Sequence, residues 1–178
     1  MRAVAVLDSK GLLVEGRGYH EAYKERLAWP ERLVREVGLD PHGDLSLLSC
    51  VRAMSPTALV GTSGQADAFS EDVVRAMAER TGMPAIFPLS NPNSASEADP
   101  KCLVEWTDGN AVIATGSPFP AVDHEGKTFR VAQGNNVWIF PGVGLGALAA
   151  EATRIDESLF TAAAKALAEA VLPEDLAD

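Results

Sequence analysis

Four short apolar runs along the chain each end in a polar or glycine-bearing stretch. Val4-Ala5-Val6-Leu7 stops at Asp8, and Thr57-Ala58-Leu59-Val60 runs into Gly61-Thr62-Ser63-Gly64. Ala85-Ile86-Phe87-Pro88-Leu89 leads into Ser90-Asn91-Pro92, and Ala111-Val112-Ile113-Ala114-Thr115 into Gly116-Ser117-Pro118. Apolar and polar residues do not alternate within these runs, and continuous apolar strands are what a parallel sheet covered on both faces requires. Between the runs the spacing turns helical. Residues 19–28 and 31–37 are charged and periodic and predict one broken helix or two short ones. Leu45, Leu48 and Val51 share a helical face before Pro56 stops the element. Ser70 is placed to cap a helix that carries Val73, Val74 and Met77 and ends by Gly82. Ser94-Ala95-Ser96-Glu97 has the form of a capping box, in which a hydroxyl and a carboxylate satisfy the orphan amides of a helix start. Residues 142–152 and 156–171 predict two alanine-rich closing helices, long enough to pack across the sheet.

Strands alternating with helices predict an α/β fold: a doubly wound, mostly parallel sheet of Rossmann-like type, in a single domain spanning residues 1–178. Ligands of such sheets lie beyond the carboxyl ends of the strands, where small and polar residues let backbone amides approach a phosphate or a ribose. Three of the four runs deliver Gly, Ser, Asn or Pro there, and the fourth delivers Asp8. An acid ending the second strand of a dinucleotide fold accepts hydrogen bonds from ribose hydroxyls, about 20 residues after a GxGxxG turn. Residues 1–7 leave no room for that turn, so the first strand and its glycine-rich turn are expected to be missing. Gly142-Val143-Gly144-Leu145-Gly146 has the wrong spacing to replace it and is read as close helix packing.

Composition narrows the classes further. Hydrophobic residues make up 47% and charged residues 22%, which predicts a packed core. The net charge of -10 is scattered along the chain and argues against nucleic acid or an anionic membrane as partner. No apolar run approaches the roughly 18 residues needed to span a bilayer. Cys50 and Cys102 sit in no CxxC and near no histidine at metal spacing, so reduced thiols in a cytoplasmic setting are expected.

Five segments in register then resemble one family, malic enzyme. They are Asp8-Ser9-Lys10-Gly11-Leu12-Leu13, Gly61-Thr62-Ser63-Gly64-Gln65, Phe87-Pro88-Leu89-Ser90-Asn91-Pro92, Ala114-Thr115-Gly116-Ser117-Pro118-Phe119 and Gln133-Gly134-Asn135-Asn136-Val137-Trp138-Ile139-Phe140-Pro141-Gly142. The resemblance extends from Asp8 to about residue 170. It implies oxidation of malate with NAD or NADP and a divalent Mg or Mn ion, followed by decarboxylation to pyruvate. It also implies that Asp8 holds the adenosine ribose and that Gly61, Thr62, Ser63 and Gly64 lie against the cofactor. Ser90 and Asn91 would meet the nicotinamide ribose region, with Asn91, Asn135 and Asn136 reaching substrate; an amide side chain offers donors and an acceptor without adding charge beside a dicarboxylate. Two departures stand out: Ala66-Asp67-Ala68 replaces the family's more usual Pro-Gly-Leu, and Asn93 stands where Thr is common. The family's catalytic Tyr and Lys and its metal-binding acids lie upstream of the residues matched here.

Other polar residues have plainer readings. His20, His42 and His124 are isolated in polar surroundings without metal spacing and are read as surface histidines. Glu97, Asp99 and Asp72 are read as helix caps or dipole partners. Lys10, with Arg17 or Lys24, could meet a 2′-phosphate or simply be solvated. Without the resemblance, Asn91 and Asn135-Asn136 would be read as turn builders. The expected function is therefore the NAD(P)-binding part of a malic enzyme, inactive by itself and acting on malate only with the missing part. A non-catalytic dinucleotide-binding or regulatory module, or an orphan gene fragment, is the alternative. An uncovered sheet edge and face also lead us to expect self-association.

Overall fold

The computed structural model describes residues 4–171, which divide between Gly134 and Asn135 into two compact units. The first unit opens with a hairpin, β1 (Leu7–Asp8) pairing antiparallel with β2 (Gly11–Leu12) in a two-stranded sheet of its own. The first apolar run is expected in the parallel sheet, but its end pairs instead with Gly11–Leu12 across the turn that follows it. The Asp8 carboxylate accepts the Lys10 amide at 2.8 Å, closing a turn, and Gly11 follows at φ 101°. Leu12, Leu13 and Val14 are thereby buried, while Val4 stays exposed.

Two short helices follow, α1 (Ala22–Leu27) and α2 (Glu31–Glu36), with Pro30 separating them. Then comes α3 (Leu47–Met54), whose start is capped by Ser46 and whose end turns left-handed at Ser55. Leu45 lies ahead of the helix; it packs with Leu12, Val14, Trp29, Val34 and Cys50 in one of the two core clusters.

Next are β3 (Ala58–Gly61), α4 (Glu71–Ala78), β4 (Ala85–Pro88), α5 (Pro100–Trp106) and β5 (Val112–Thr115). Ser70 occupies the first cap position of α4, although its hydroxyl makes no capping bond. The hairpin β6 (Val122–His124) and β7 (Lys127–Phe129) then leads to β8 (Ala132–Gln133). Strands β3, β4, β5 and β8 form one parallel sheet in that order, confirming the α/β, Rossmann-like class. β8 carries no long apolar run and was not visible as a strand in the sequence.

Covering of the sheet within this unit is one-sided. Leu59, Ile86 and Ile113 point into the main core, formed with Val51, Val74, Met77 and Leu103 from α3, α4 and α5. Val60 and Val112, on the opposite face, are 56% and 47% exposed. The expectation of two buried faces fails for these positions, because the three helices next to the sheet all join one core.

The start of α5 also differs from the capping-box expectation. Residues Asn93–Ala95 make only a single 3-10 turn, and the helix begins six residues beyond Ser94, at Pro100. Asp99 caps it by accepting the Lys101 amide at 2.8 Å, with proline at the favoured first position.

The second unit contains the 3-10 turn Asn136–Trp138 and the helices α6 (Phe140–Ala149) and α7 (Glu157–Glu169), which pack against each other. Asp156 caps α7 through the Ser158 amide at 3.0 Å. A Cβ added to Gly142, Gly144 or Gly146 would meet open space, so these glycines make no close helix contact here.

Candidate functional site

Parallel pairing carries the ends of the strands to one rim. Gly61 stands opposite Pro88, and the Leu89 amide donates to the Gly61 carbonyl at 2.9 Å. The Gly116 amide donates to Pro88 at 3.2 Å, and the Gly134 amide to Thr115 at 2.9 Å. The loops 61–65, 89–91 and 116–117 are thus neighbours by register, and this brings Gly61, Thr62, Ser63, Gly64, Ser90 and Asn91 together. Thr62, Ser63, Gly64 and Asn91 are exposed, whereas Gly61 and Ser90 are buried.

Asn91 is tied into the rim from two sides. Its Nδ2 donates to the Leu89 carbonyl at 3.4 Å, and the Ser117 hydroxyl donates to its Oδ1. A side chain at position 116 would drive into the Leu89 carbonyl and come within 3.0 Å of Asn91 Nδ2, which is why glycine stands there. Gln133 donates from Nε2 to the Gly116 carbonyl at 3.3 Å, linking β8 to the same loop.

A residue that sequence reasoning misassigned lies between the first two loops. Glu97, read as a helix cap, is fully buried. Its Oε1 accepts from the Ser63 amide at 2.7 Å, the Ser63 hydroxyl at 2.8 Å and the Ser90 hydroxyl at 2.6 Å. Its Oε2 accepts from the Ser90 amide at 3.3 Å. Burial pushes this carboxyl pKa up, but the hydrogen bonds from Ser90 and Ser63 outweigh it and leave the group below the ordinary glutamate value. The buried acid is therefore ionised and fully engaged. A usable signal was present: of the two acids in this stretch only Asp99 is followed by proline, which marks the true helix start and leaves Glu97 to be explained.

Asp8 sits in the separate hairpin, half-buried, with Lys24 Nζ 3.0 Å from its Oδ2. Lys10 is exposed next to it. Arg17, suggested to share a phosphate with Lys10, donates to the Pro41 carbonyl at 2.6 Å. Asn135 and Asn136 open the second unit. The Asn135 side chain accepts the Val137 amide at 3.0 Å, capping the 3-10 turn as a turn builder would.

His42 lies 3.4 Å from Glu31, and His124 lies 3.3 Å from Asp108. Among the described residues one group has metal-ligand types in reach of each other: Asp108, His124 and Glu125, whose ligand atoms all lie within 4.8 Å. Asp108 follows α5 and precedes β5, so the group adjoins the amino end of that strand, away from the rim. It does not suit a metal serving chemistry at the carboxyl ends, and the Asp108–His124 pairing accounts for the contact.

What the rim offers is therefore hydroxyls, amides and glycine backbone, a set suited to binding ribose, phosphate and carboxamide oxygens and nitrogens. Comparison with known proteins agrees. The family profile described as "Malic enzyme, NAD binding domain" matches residues 1–178. The NAD-dependent malic enzyme of Shewanella woodyi is 42% identical over 166 residues, 93% of this chain and 29% of that protein. The enzymes of the same name from Sodalis glossinidius and Aeromonas hydrophila are each 44% identical, over 168 and 167 residues. The chain spans about 30% of the length of these relatives. With an NAD-binding profile matched across its whole length and a rim of the right chemistry, this chain belongs to the malic enzyme family.

Proposed function

We propose that the rim seats NAD beside malate, and that the chain serves as the cofactor-binding part of an enzyme that oxidises malate and decarboxylates the product to pyruvate. The observation that carries this reading is the convergence of the 61–65, 89–91 and 116–117 loops on the carboxyl edge of one parallel sheet. NAD, when bound, supplies the hydride acceptor. Thr62 and the backbone of Gly61 to Gly64 would lie along it, Asp8 would hold the adenosine ribose, and Asn91 would face the nicotinamide ribose and the substrate. Asn135 and Asn136 are proposed to contribute to substrate binding. Lys10 is the residue we propose for a 2′-phosphate should NADP be accepted.

The rim side chains are hydroxyls and amides, which do not titrate near neutrality. They would position ligands without taking a proton from the malate hydroxyl. We accordingly propose that the base, the acid and the ligands of a divalent Mg or Mn ion are supplied by residues other than these, and that the chain alone does not turn over malate; we also propose that it works in the cytoplasm. The test has two arms on the purified chain. Fluorescence titration with NADH is expected to show saturable binding, and its absence would overturn the reading. Malate-dependent NAD reduction with Mn²⁺ is expected to stay at background, and appreciable turnover would refute the division of labour.

A further inference from the structure

Glu97 cannot touch a ligand, because it is fully buried, yet it joins two of the loops that would. We infer that Glu97 is a positioning residue: its carboxylate fixes the 61–65 loop against the 89–91 loop, and nicotinamide dinucleotide affinity depends on that tie. The inference rests on the NAD-binding role proposed above. Its geometry is specific. Three donors from two loops converge on Oε1, and the Ser90 hydroxyl that donates to Glu97 also accepts the Gly64 amide at 2.9 Å. The Ser63 hydroxyl likewise donates to Glu97 and accepts the Gln65 amide at 3.1 Å. Glu97 thus reaches Gly64 and Gln65 at one remove, through serines whose hydroxyl protons are already committed.

The backbone that carries the carboxylate is itself held in place. The Phe69 amide donates to the Glu97 carbonyl at 2.9 Å and the Asp67 amide to Ser96 at 3.2 Å, so the chain leaving the first loop is bonded to the backbone that carries the acid. Gly61 completes the fit, because a Cβ there would lie 2.5 Å from Glu97 Cδ. A loop held this way needs no reordering when ligand arrives, which is how a buried group without ligand contact raises affinity.

Two substitutions separate positioning from simple stability. In Glu97→Gln the amide oxygen can take the three short donors and the amide nitrogen falls near the Ser90 amide, so only the 3.3 Å bond is lost. In Glu97→Ala every donor loses its partner. Val74→Ala, in the core of α4, serves as a control for stability loss away from the rim. NADH dissociation constants are measured for each, together with amide hydrogen exchange at residues 62–65 and 89–91. Loss of a charge-assisted network of this kind is expected to raise the Glu97→Ala constant about tenfold or more and to speed exchange in both loops. Glu97→Gln is expected within about threefold of the parent, and Val74→Ala unchanged in affinity despite a lower melting temperature. A folded Glu97→Ala with parental affinity and parental exchange would overturn the inference. Should that variant not fold, Glu97→Asp, whose shorter side chain cannot serve both loops, carries the same comparison. If the parent binds no NADH, the proposed function fails while loop exchange still decides the role of Glu97.

Discussion

Lys24 Nζ lies 3.0 Å from Asp8 Oδ2, so the acid proposed to hold the adenosine ribose is already paired with a cation from α1. Burial pushes the Asp8 pKa up, but hydrogen bonds from the Lys10 amide and Lys24 outweigh it and the net shift is downward. Asp8 is therefore ionised throughout the neutral range, and each of its oxygens keeps a lone pair for a ribose hydroxyl. Asp8→Ala is expected to raise the NADH dissociation constant about tenfold to a hundredfold, the usual worth of a hydrogen bond to a charged group. A titration showing parental affinity would remove Asp8 from the site.

Acid should loosen this fold through the same chemistry. Folding lowers the pKa of Glu97 and of Asp8, so their ionised forms stabilise the native state above the ordinary carboxylate range. That contribution disappears as pH falls through the lowered folded values. Thermal melting from pH 7 to pH 3 is expected to show a plateau and then a decline, and Glu97→Gln to show a shallower decline. An identical pH profile for the two proteins would exclude Glu97 as a contributor.

Glycine substitutions should separate by neighbourhood. Gly116→Ala forces a methyl into the Leu89 backbone and is expected to cost about 1–3 kcal/mol, or more if the loop cannot shift. Gly144→Ala lies inside α6 with open space around it and is expected to gain about 0.5–1 kcal/mol from helix propensity. Denaturant midpoints check both signs. A destabilised Gly144→Ala would show that a close contact exists at that position after all.

Cys50 is 3% exposed, and burial, helped by the charge of Asp44, pushes its thiol pKa up to about 11. Thiolate is the reactive form. Cys50 is expected to resist Ellman's reagent in the native protein and to react once denatured, whereas rapid native labelling would contradict its burial.

Val60 and Val112 on the sheet, and Phe140, Leu145 and Leu148 on α6, are apolar side chains left in solvent. Exposed apolar surface of this kind favours association. Sedimentation velocity is expected to show the isolated chain as more than a monomer, with weight rising with concentration. A concentration-independent monomer would refute this.

Much of the architecture could be read from the chain alone, because strands of a parallel sheet are written as unbroken apolar runs and a carboxyl rim needs small polar residues after them, even though one face of this sheet is left open at Val60 and Val112. The runs at 57–60, 85–89 and 111–115 therefore announced both strands and rim, and the match of five segments gave the family. Tertiary structure decided what local pattern does not encode. Val4–Leu7 has the composition of a sheet strand, but the Asp8 turn pairs the end of that run, Leu7–Asp8, with Gly11–Leu12 instead. Ala132–Gln133 has no apolar signature, but the rim hydrogen bonds enlist it as the fourth strand. Glu97 looked like a cap because its nearest neighbours in sequence are cap-like, while its real partners, Ser63 and Ser90, are 34 and 7 residues away. Hydrophobic periodicity is a property of neighbouring residues and survives in the sequence; the partner of a buried charge is chosen only when distant loops meet in three dimensions.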